Sequence, residues 1–79
     1  MNKTQIEEKI CKIINDLGFS SDSRADVCLY DIGMDDLDIT ELVVLLEEEF
    51  DVKISTKEEK LLYDKAHIGF VYEIIKNKL

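Results

Sequence analysis

Proline is absent from this chain, and glycine, cysteine and histidine are scarce: three, two and one residues among 79. Sheet proteins need many turn residues and alternating β-branched residues, so this scarcity favours a helical protein. Two cysteines, Cys11 and Cys28, are too few for a disulfide framework, and no cluster of cysteine and histidine has the spacing of a metal site. We therefore expect no bound metal.

Basic residues are also few, ten against 18 acidic residues, and the net charge is −8. Nucleic acids and anionic membrane surfaces would be repelled, so neither is an expected partner. The opening residues MNKTQIEEK are polar and lead directly into a helical pattern, which is not typical of a signal peptide or membrane anchor. A chain of this length has room for one hydrophobic core. We expect one domain over residues 1–79, monomeric and cytoplasmic.

Hydrophobic periodicity and capping signals predict four helices. Thr4 and Glu7 fit a capping box at the start of the first helix, and Gly18 fits its end. The inward stripe of this helix is Ile6, Ile10, Ile13, Ile14 and Leu17. A connection over 19–34 follows, and a segment this long is expected to pack against the core or to be functional. Its predicted anchors are Phe19, Val27, Leu29 and Ile32.

The second helix is predicted to begin after an Asp35 or Asp36 cap and to run to about Phe50. A short third helix begins at a capping box of Ser55 and Glu58 and ends near Leu62, and the last helix begins between residues 64 and 66. The inward stripe of the last helix is Ile68, Val71, Tyr72, Ile75 and Leu79. The predicted fold is all-α, a four-helix bundle with three longer helices and one short helix.

The second helix carries most of the unusual charge. Residues 31–51 hold nine of the 18 acidic residues and none of the basic ones. Like charges one turn apart destabilise a helix by about 0.2–0.5 kcal/mol per pair. A helix that tolerates this repulsion either binds basic partners or is an ordinary solvated face, and charge alone leaves both interpretations open.

Residues 31–50, DIGMDDLDITELVVLLEEEF, resemble the central segment of acyl carrier proteins. The family pattern is D-L-G-x-D-S-L-D, followed by a helix that starts with E-L and ends in E-E-E-F, and then an I-P or I-S step, supplied here by Ile54 and Ser55. The resemblance extends over the whole chain in length and helix order. It implies a carrier-type four-helix bundle of fatty-acid or polyketide assembly, which is not itself an enzyme. Its implied partners are biosynthetic enzymes with basic patches, of synthase, ligase or transferase type.

One residue departs from the family pattern. The serine that receives the phosphopantetheine arm in the family aligns with Asp36. Attack by a carboxylate would give an acyl phosphate, which hydrolyses readily and could not hold the arm. Residues 35 and 37 offer no hydroxyl, and Thr40 lies one turn further along the helix, about 6 Å away. We predict that the chain with Asp36 carries no cofactor, and we would expect phosphopantetheine only if residue 36 were Ser. The substitution is compatible with natural loss in a paralogue, with a deliberate change, or with a divergent relative of unrelated function.

The resemblance also implies a recognition surface on the second helix. Leu37 would be its apolar contact, and Glu41 and Glu48 would meet Arg and Lys side chains of partner enzymes. The full predicted set is Asp35, Leu37, Asp38, Thr40, Glu41, Val44, Glu47 and Glu48. The alternative function is a non-carrier interaction module that docks a basic protein through the same helix. An enzyme using Asp35 and Asp36 as paired carboxylates has no pocket or nucleophile to support it.

In the family, an acyl chain can be sheltered between the second helix and its neighbours. The corresponding residues here are Leu45, Leu46, Ile54, Leu62, Ile68 and Val71. Without an arm nothing delivers a chain to this space, so a simply packed core is the favoured interpretation.

Overall fold

Four α-helices and a short 3-10 helix make up the computed structural model, which describes residues 1–22, 24 and 26–79. The helices are α1 (Lys3–Asp16), α2 (Asp36–Phe50), α3 (Thr56–Asp64) and α4 (Ile68–Lys76), and the 3-10 helix spans Tyr30–Ile32. The described residues form no strand, so the predicted all-α four-helix bundle is confirmed. Within this part of the chain, no helix combines the length and the apolar character that a membrane crossing requires.

The first helix begins earlier than the sequence predicts. Its N-cap is Asn2 instead of Thr4: Asn2 Oδ1 accepts the Gln5 N–H at 2.9 Å, and Gln5 Oε1 accepts the Asn2 N–H at 3.0 Å. Asparagine is at least as good an N-cap as threonine, and the earlier start adds backbone hydrogen bonds such as Ile6 N–H to Asn2 O at 3.1 Å. The predicted end is correct, because Gly18 follows the helix with a φ of +102°, which glycine adopts without strain.

One core cluster joins all four helices. Ile10 and Ile14 of α1, Leu42 and Leu46 of α2, and Ile68 of α4 are fully buried in it. Leu29 anchors the connection in this core, and the other three predicted anchors pack against it while partly exposed. One prediction for the last helix was wrong, because Leu79 lies beyond α4 and is 60% exposed. Ile74, which was not in the predicted stripe, is buried.

The last two helices also differ from the predicted bounds. The third helix continues to Asp64 instead of ending near Leu62, and the fourth begins only at Ile68. The long connection causes this delay, because Leu29 N–H donates to Ala66 O at 2.6 Å and Ile68 N–H donates to Val27 O at 3.1 Å. These bonds hold residues 66–68 beside the connection, outside the helix. Both α3 and α4 therefore have nine residues, so the bundle has two longer and two shorter helices.

Candidate functional site

Residue 36 is the first residue of α2, at the point where the long connection enters the helix. The connection ends in the 3-10 helix, and Gly33 follows it with a φ of +101°, a conformation that strains residues with a side chain. The next residue, Met34, is 3% exposed and fixes the chain to the core. The backbone that leads into α2 is thus held against the core, and the Asp36 side chain remains exposed.

The neighbouring carboxylates of Asp35 and Asp38 cap α2. Asp35 Oδ1 accepts the Asp38 N–H at 3.0 Å, and Asp38 Oδ2 accepts the Asp35 N–H at 2.9 Å. This reciprocal pair satisfies two backbone donors that a helix start otherwise leaves open. The hydrogen bond from the Asp38 N–H lowers the pKa of Asp35, because it stabilises the ionised carboxylate. Both acids therefore have a structural role in addition to any role in recognition.

A tyrosine from the 3-10 helix holds the carboxylate of Asp36. Tyr30 Oη donates to Asp36 Oδ1 at 2.8 Å and also lies 3.3 Å from the backbone carbonyl of Tyr63 on α3. The hydrogen bond to Asp36 is the main reason that the pKa of Tyr30 is raised to about 12. Ionised Tyr30 would lose this bond and face a second negative charge. Asp36 thus links the 3-10 helix to the start of α2.

The hydroxyl of Thr40, one turn beyond Asp36, is also engaged. Thr40 Oγ1 lies 3.0 Å from the Asp36 backbone carbonyl and contacts the Tyr63 hydroxyl, which lies 2.9 Å from Glu59 Oε2. The hydrogen bond with Thr40 lowers the pKa of Tyr63, but burial and Glu59 together raise it above its usual value. The hydroxyls of Thr40 and Tyr63 have two protons for these three contacts, so only two of them can be hydrogen bonds at one time. The network connects α2 to α3.

Four exposed side chains form one face of α2. Leu37, Glu41, Val44 and Glu48 follow at intervals of four, three and four residues, which places them in a single stripe. We call these four residues the α2 outer face. Leu37 is 79% exposed and Val44 49% exposed, so both aliphatic side chains of this face are open to solvent. The face therefore alternates apolar contacts with carboxylates.

The model of the family described as "Phosphopantetheine attachment site" matches residues 5–58, more than half of the chain. An acyl carrier protein of Nitratidesulfovibrio vulgaris strain DP4 is 41% identical over 70 residues, which cover 84% of this chain and 92% of the relative. This chain belongs to the acyl carrier protein family. A second acyl carrier protein, from the Miyazaki F strain of the same species, is 40% identical over 77 residues, covering 92% and 96% of the two chains. No solved structure matches the chain.

Membership of the acyl carrier protein family confirms the resemblance predicted from residues 31–55. Acyl carrier proteins are carriers and not catalysts, and the prediction that this chain is not an enzyme is consistent with that. The matched segment includes Asp36 and all of α2, so the family's central region coincides with the capped helix start and the α2 outer face.

The predicted recognition residues of this acyl carrier protein family member divide into two groups. Members of the α2 outer face have exposed side chains with no hydrogen bond or ion pair among the described residues. Other predicted residues are engaged inside the molecule: Asp35 and Asp38 in the capping box, Thr40 in the tyrosine network, and Glu47 with the Ile54 N–H at 2.8 Å. Their part in recognition stays a prediction.

Sequence reasoning missed Tyr30 and Tyr63 as neighbours of residue 36. Tyr63 lies 27 residues beyond it on another helix, and no periodicity links the two. Tyr30 is six residues away in a connection for which no regular structure was predicted. The one available signal was that two tyrosines stood near helix ends, where a hydroxyl commonly finds a polar partner.

The interior agrees with simple packing. Leu46, Leu62, Ile68 and Val71, four of the six residues predicted to line an acyl-chain space, are at most 1% exposed within the core cluster. Ile54 packs against this cluster while partly exposed. Leu45 is half-buried at the side of α2.

Proposed function

We propose that this acyl carrier protein family member presents the α2 outer face to basic biosynthetic enzymes and carries no phosphopantetheine arm. The main support for this proposal is residue 36 itself. It is an aspartate at the first position of α2, and its carboxylate accepts a hydrogen bond from Tyr30. In the family, this position supplies the serine hydroxyl that becomes the phosphodiester.

The residues around position 36 do not fit attachment of the prosthetic group. A carboxylate cannot form a stable phosphodiester, and the nearest hydroxyl groups are already hydrogen-bonded: Tyr30 to Asp36, and Thr40 to the Asp36 carbonyl and Tyr63. The proposed function therefore does not involve a phosphopantetheine group.

The α2 outer face has the properties of a docking surface for a basic partner. Glu41 and Glu48 are exposed and have no ion pair among the described residues. Leu37 and Val44 on the same face offer apolar contact. Complementary charge of this kind speeds encounter and fixes orientation, and the apolar side chains supply contact area. The partners proposed are synthases, ligases or transferases of fatty-acid or polyketide assembly, in the cytoplasm.

The experiment that tests this proposal is intact-mass measurement after incubation with coenzyme A and a promiscuous phosphopantetheinyl transferase. The wild-type chain is expected to keep its mass, because Asp36 offers no transferable hydroxyl. Asp36→Ser is expected to gain the mass of the phosphopantetheinyl group, because the capping box and the outer face that surround the position are unchanged. A gain in mass by the wild-type chain would overturn the proposal.

Docking is tested in the modifiable Asp36→Ser background. Adding Glu41→Lys on the α2 outer face is expected to lower the kcat/KM of the transferase roughly tenfold, because a charge is reversed at the contact with a basic enzyme. Glu8→Lys, an equal change at an exposed position of α1, serves as the control and is expected to have little effect. Equal loss in both variants would contradict docking through α2.

The alternative, a non-carrier module for an unrelated basic protein, uses the same surface and predicts a different result. If Asp36→Ser stays unmodified under conditions that load a standard acyl carrier protein, recognition by carrier enzymes has been lost and this alternative is favoured.

A further inference from the structure

A groove of about 280 Å³ lies between α1 and α2. Ile13 from α1 and Leu45 from α2 form its apolar walls, and its other lining residues are the acids Asp16, Glu48 and Glu49. Glu48 belongs to the α2 outer face as well, so the groove continues that surface around α2 towards α1. The remaining four lining residues lie outside the α2 outer face.

Leu45 is an aliphatic residue that does not pack against the core cluster. The partly exposed hydrophobic residues that pack against the core cluster include Ile13 but not Leu45. Leu45 is half-buried and lines the groove together with Ile13 of α1, whereas its neighbour Val44 is 49% exposed on the α2 outer face. An aliphatic side chain in this position therefore offers apolar area to whatever enters the groove.

The charge of the groove is negative and only partly compensated. Glu49 pairs with Lys9 at 3.2 Å, and both of these side chains are more than two-fifths exposed, so the pair is screened by solvent. Within the described part of the chain, Asp16 and Glu48 take part in no ion pair. The apolar walls are thus flanked by two carboxylates that a cationic side chain can approach.

We propose that this groove binds a basic protein segment that inserts one aliphatic or aromatic side chain between Ile13 and Leu45 and places Lys or Arg beside Asp16 and Glu48. Acidic lipids and nucleic acid are disfavoured as occupants by the same carboxylates. A second copy of this chain is disfavoured because both copies carry a net charge of −8. The proposal does not depend on whether residue 36 can be modified.

The test uses a fluorescein-labelled synthetic peptide of twelve residues in which Arg and Lys flank a single central Leu, and a matched peptide with Ser at the centre. Binding to the full chain is measured by fluorescence anisotropy, and backbone chemical-shift changes locate the peptide. The Leu peptide is expected to bind roughly fivefold or more tightly than the Ser peptide, with shifts concentrated at residues 13, 16 and 45.

Leu45→Gln is expected to weaken the Leu peptide roughly fivefold. The control is Leu61→Gln, at an aliphatic side chain on α3 that is 41% exposed, and it is expected to change the affinity less than about twofold. Val44→Gln reports whether the peptide lies on the α2 outer face instead of in the groove. Asp16→Lys, at an exposed position with little effect on folding, is expected to weaken both peptides.

Four results of the peptide experiments would each overturn the proposal. These are no binding at millimolar protein, equal affinity of the two peptides, shifts and sensitivity centred on Val44 in place of Leu45, or a peptide affinity unchanged by Asp16→Lys. The third result would move the peptide to the α2 outer face and leave the function proposed above intact. Self-association detected by sedimentation, with Leu45→Gln abolishing it, would assign the groove to a second copy and would equally overturn the proposal.

Discussion

At the scale of single residues, Asp36 is accommodated by its neighbours. Its carboxylate accepts the hydroxyl of Tyr30, its backbone carbonyl accepts that of Thr40, and its N-terminal position on α2 suits a negative charge near the positive end of the helix dipole. Aspartate is therefore electrostatically favourable at residue 36, even though it removes the hydroxyl that the family uses for attachment.

The Tyr30–Asp36 hydrogen bond should be visible in the titration of the phenol. Tyr30 has a pKa of about 12 in the folded protein, above its ordinary 10.0, so the folded state holds the phenolic proton more tightly. The resulting stabilisation is complete below pH 10 and is lost as the pH rises through the folded value of about 12. In Asp36→Asn the pKa of Tyr30 is expected to fall part of the way towards 10.0, because the amide oxygen can still accept the hydrogen bond but the negative charge that strengthens it is gone.

Tyrosinate absorbance against pH measures this shift, and far-ultraviolet circular dichroism in the same samples reports whether the helices persist. Tyr30→Phe identifies which transition belongs to Tyr30. An unchanged transition in Asp36→Asn would mean that the carboxylate is not the source of the raised pKa.

At the scale of the helices, most helix ends that depend on nearby residues were predicted correctly. The Ser55–Glu58 capping box and the Gly18 helix end are both present, because caps depend on residues within one turn. The predicted Thr4–Glu7 box was wrong because a second local pair, Asn2 and Gln5, forms the cap instead. The start of α4 was predicted too early because it depends on hydrogen bonds to Val27 and Leu29, some 40 residues earlier in the chain. Nothing in the local sequence around residue 66 indicates that pairing. The positions of Tyr30 and Tyr63 beside Asp36 could not be predicted for the same reason, because they depend on tertiary contacts.

The cap of α3 provides a test at this scale. Ser55 Oγ accepts the Glu58 N–H at 3.1 Å, and Glu58 Oε1 accepts the Ser55 N–H at 2.9 Å. Ser55→Ala removes the first bond and is expected to lower the free energy of unfolding by about 1 kcal/mol. Urea unfolding followed by circular dichroism measures the change. Thr56→Ala, one residue further and without a capping bond, is the control and is expected to cause no loss, because alanine has the higher helix propensity. An equal loss there would show that the effect of Ser55→Ala is not specific to the cap.

At the scale of the whole molecule, the negative charge is concentrated where compensation is weakest. Among the described residues, Lys9–Glu49 at 3.2 Å is the one ion pair that reaches the acidic segment 31–51. The pair Lys78–Glu58 at 2.9 Å joins Lys78 to α3 and lies outside that segment. Basic side chains of the other helices therefore balance only a small part of the charge on α2, which leaves its carboxylates available to a basic partner and also mutually repulsive.

This repulsion predicts that salt stabilises the fold. Charges one turn apart lie closer than the Debye length of about 10 Å at 0.1 M salt, so sodium chloride should weaken their repulsion and raise the free energy of unfolding by an amount on the order of 1 kcal/mol. Glu48→Gln should stabilise the chain at low salt and reduce its salt response, since Glu48 is three residues from Asp51 and forms no ion pair. Glu8→Gln is the matched control, because Glu8 lies four residues before Lys12 on α1 and its loss removes an attraction. Thermal melts over a series of sodium chloride concentrations measure both variants. A melting temperature that stays flat or falls with salt in the wild-type chain would show that lysines of the other helices already balance the acidic segment.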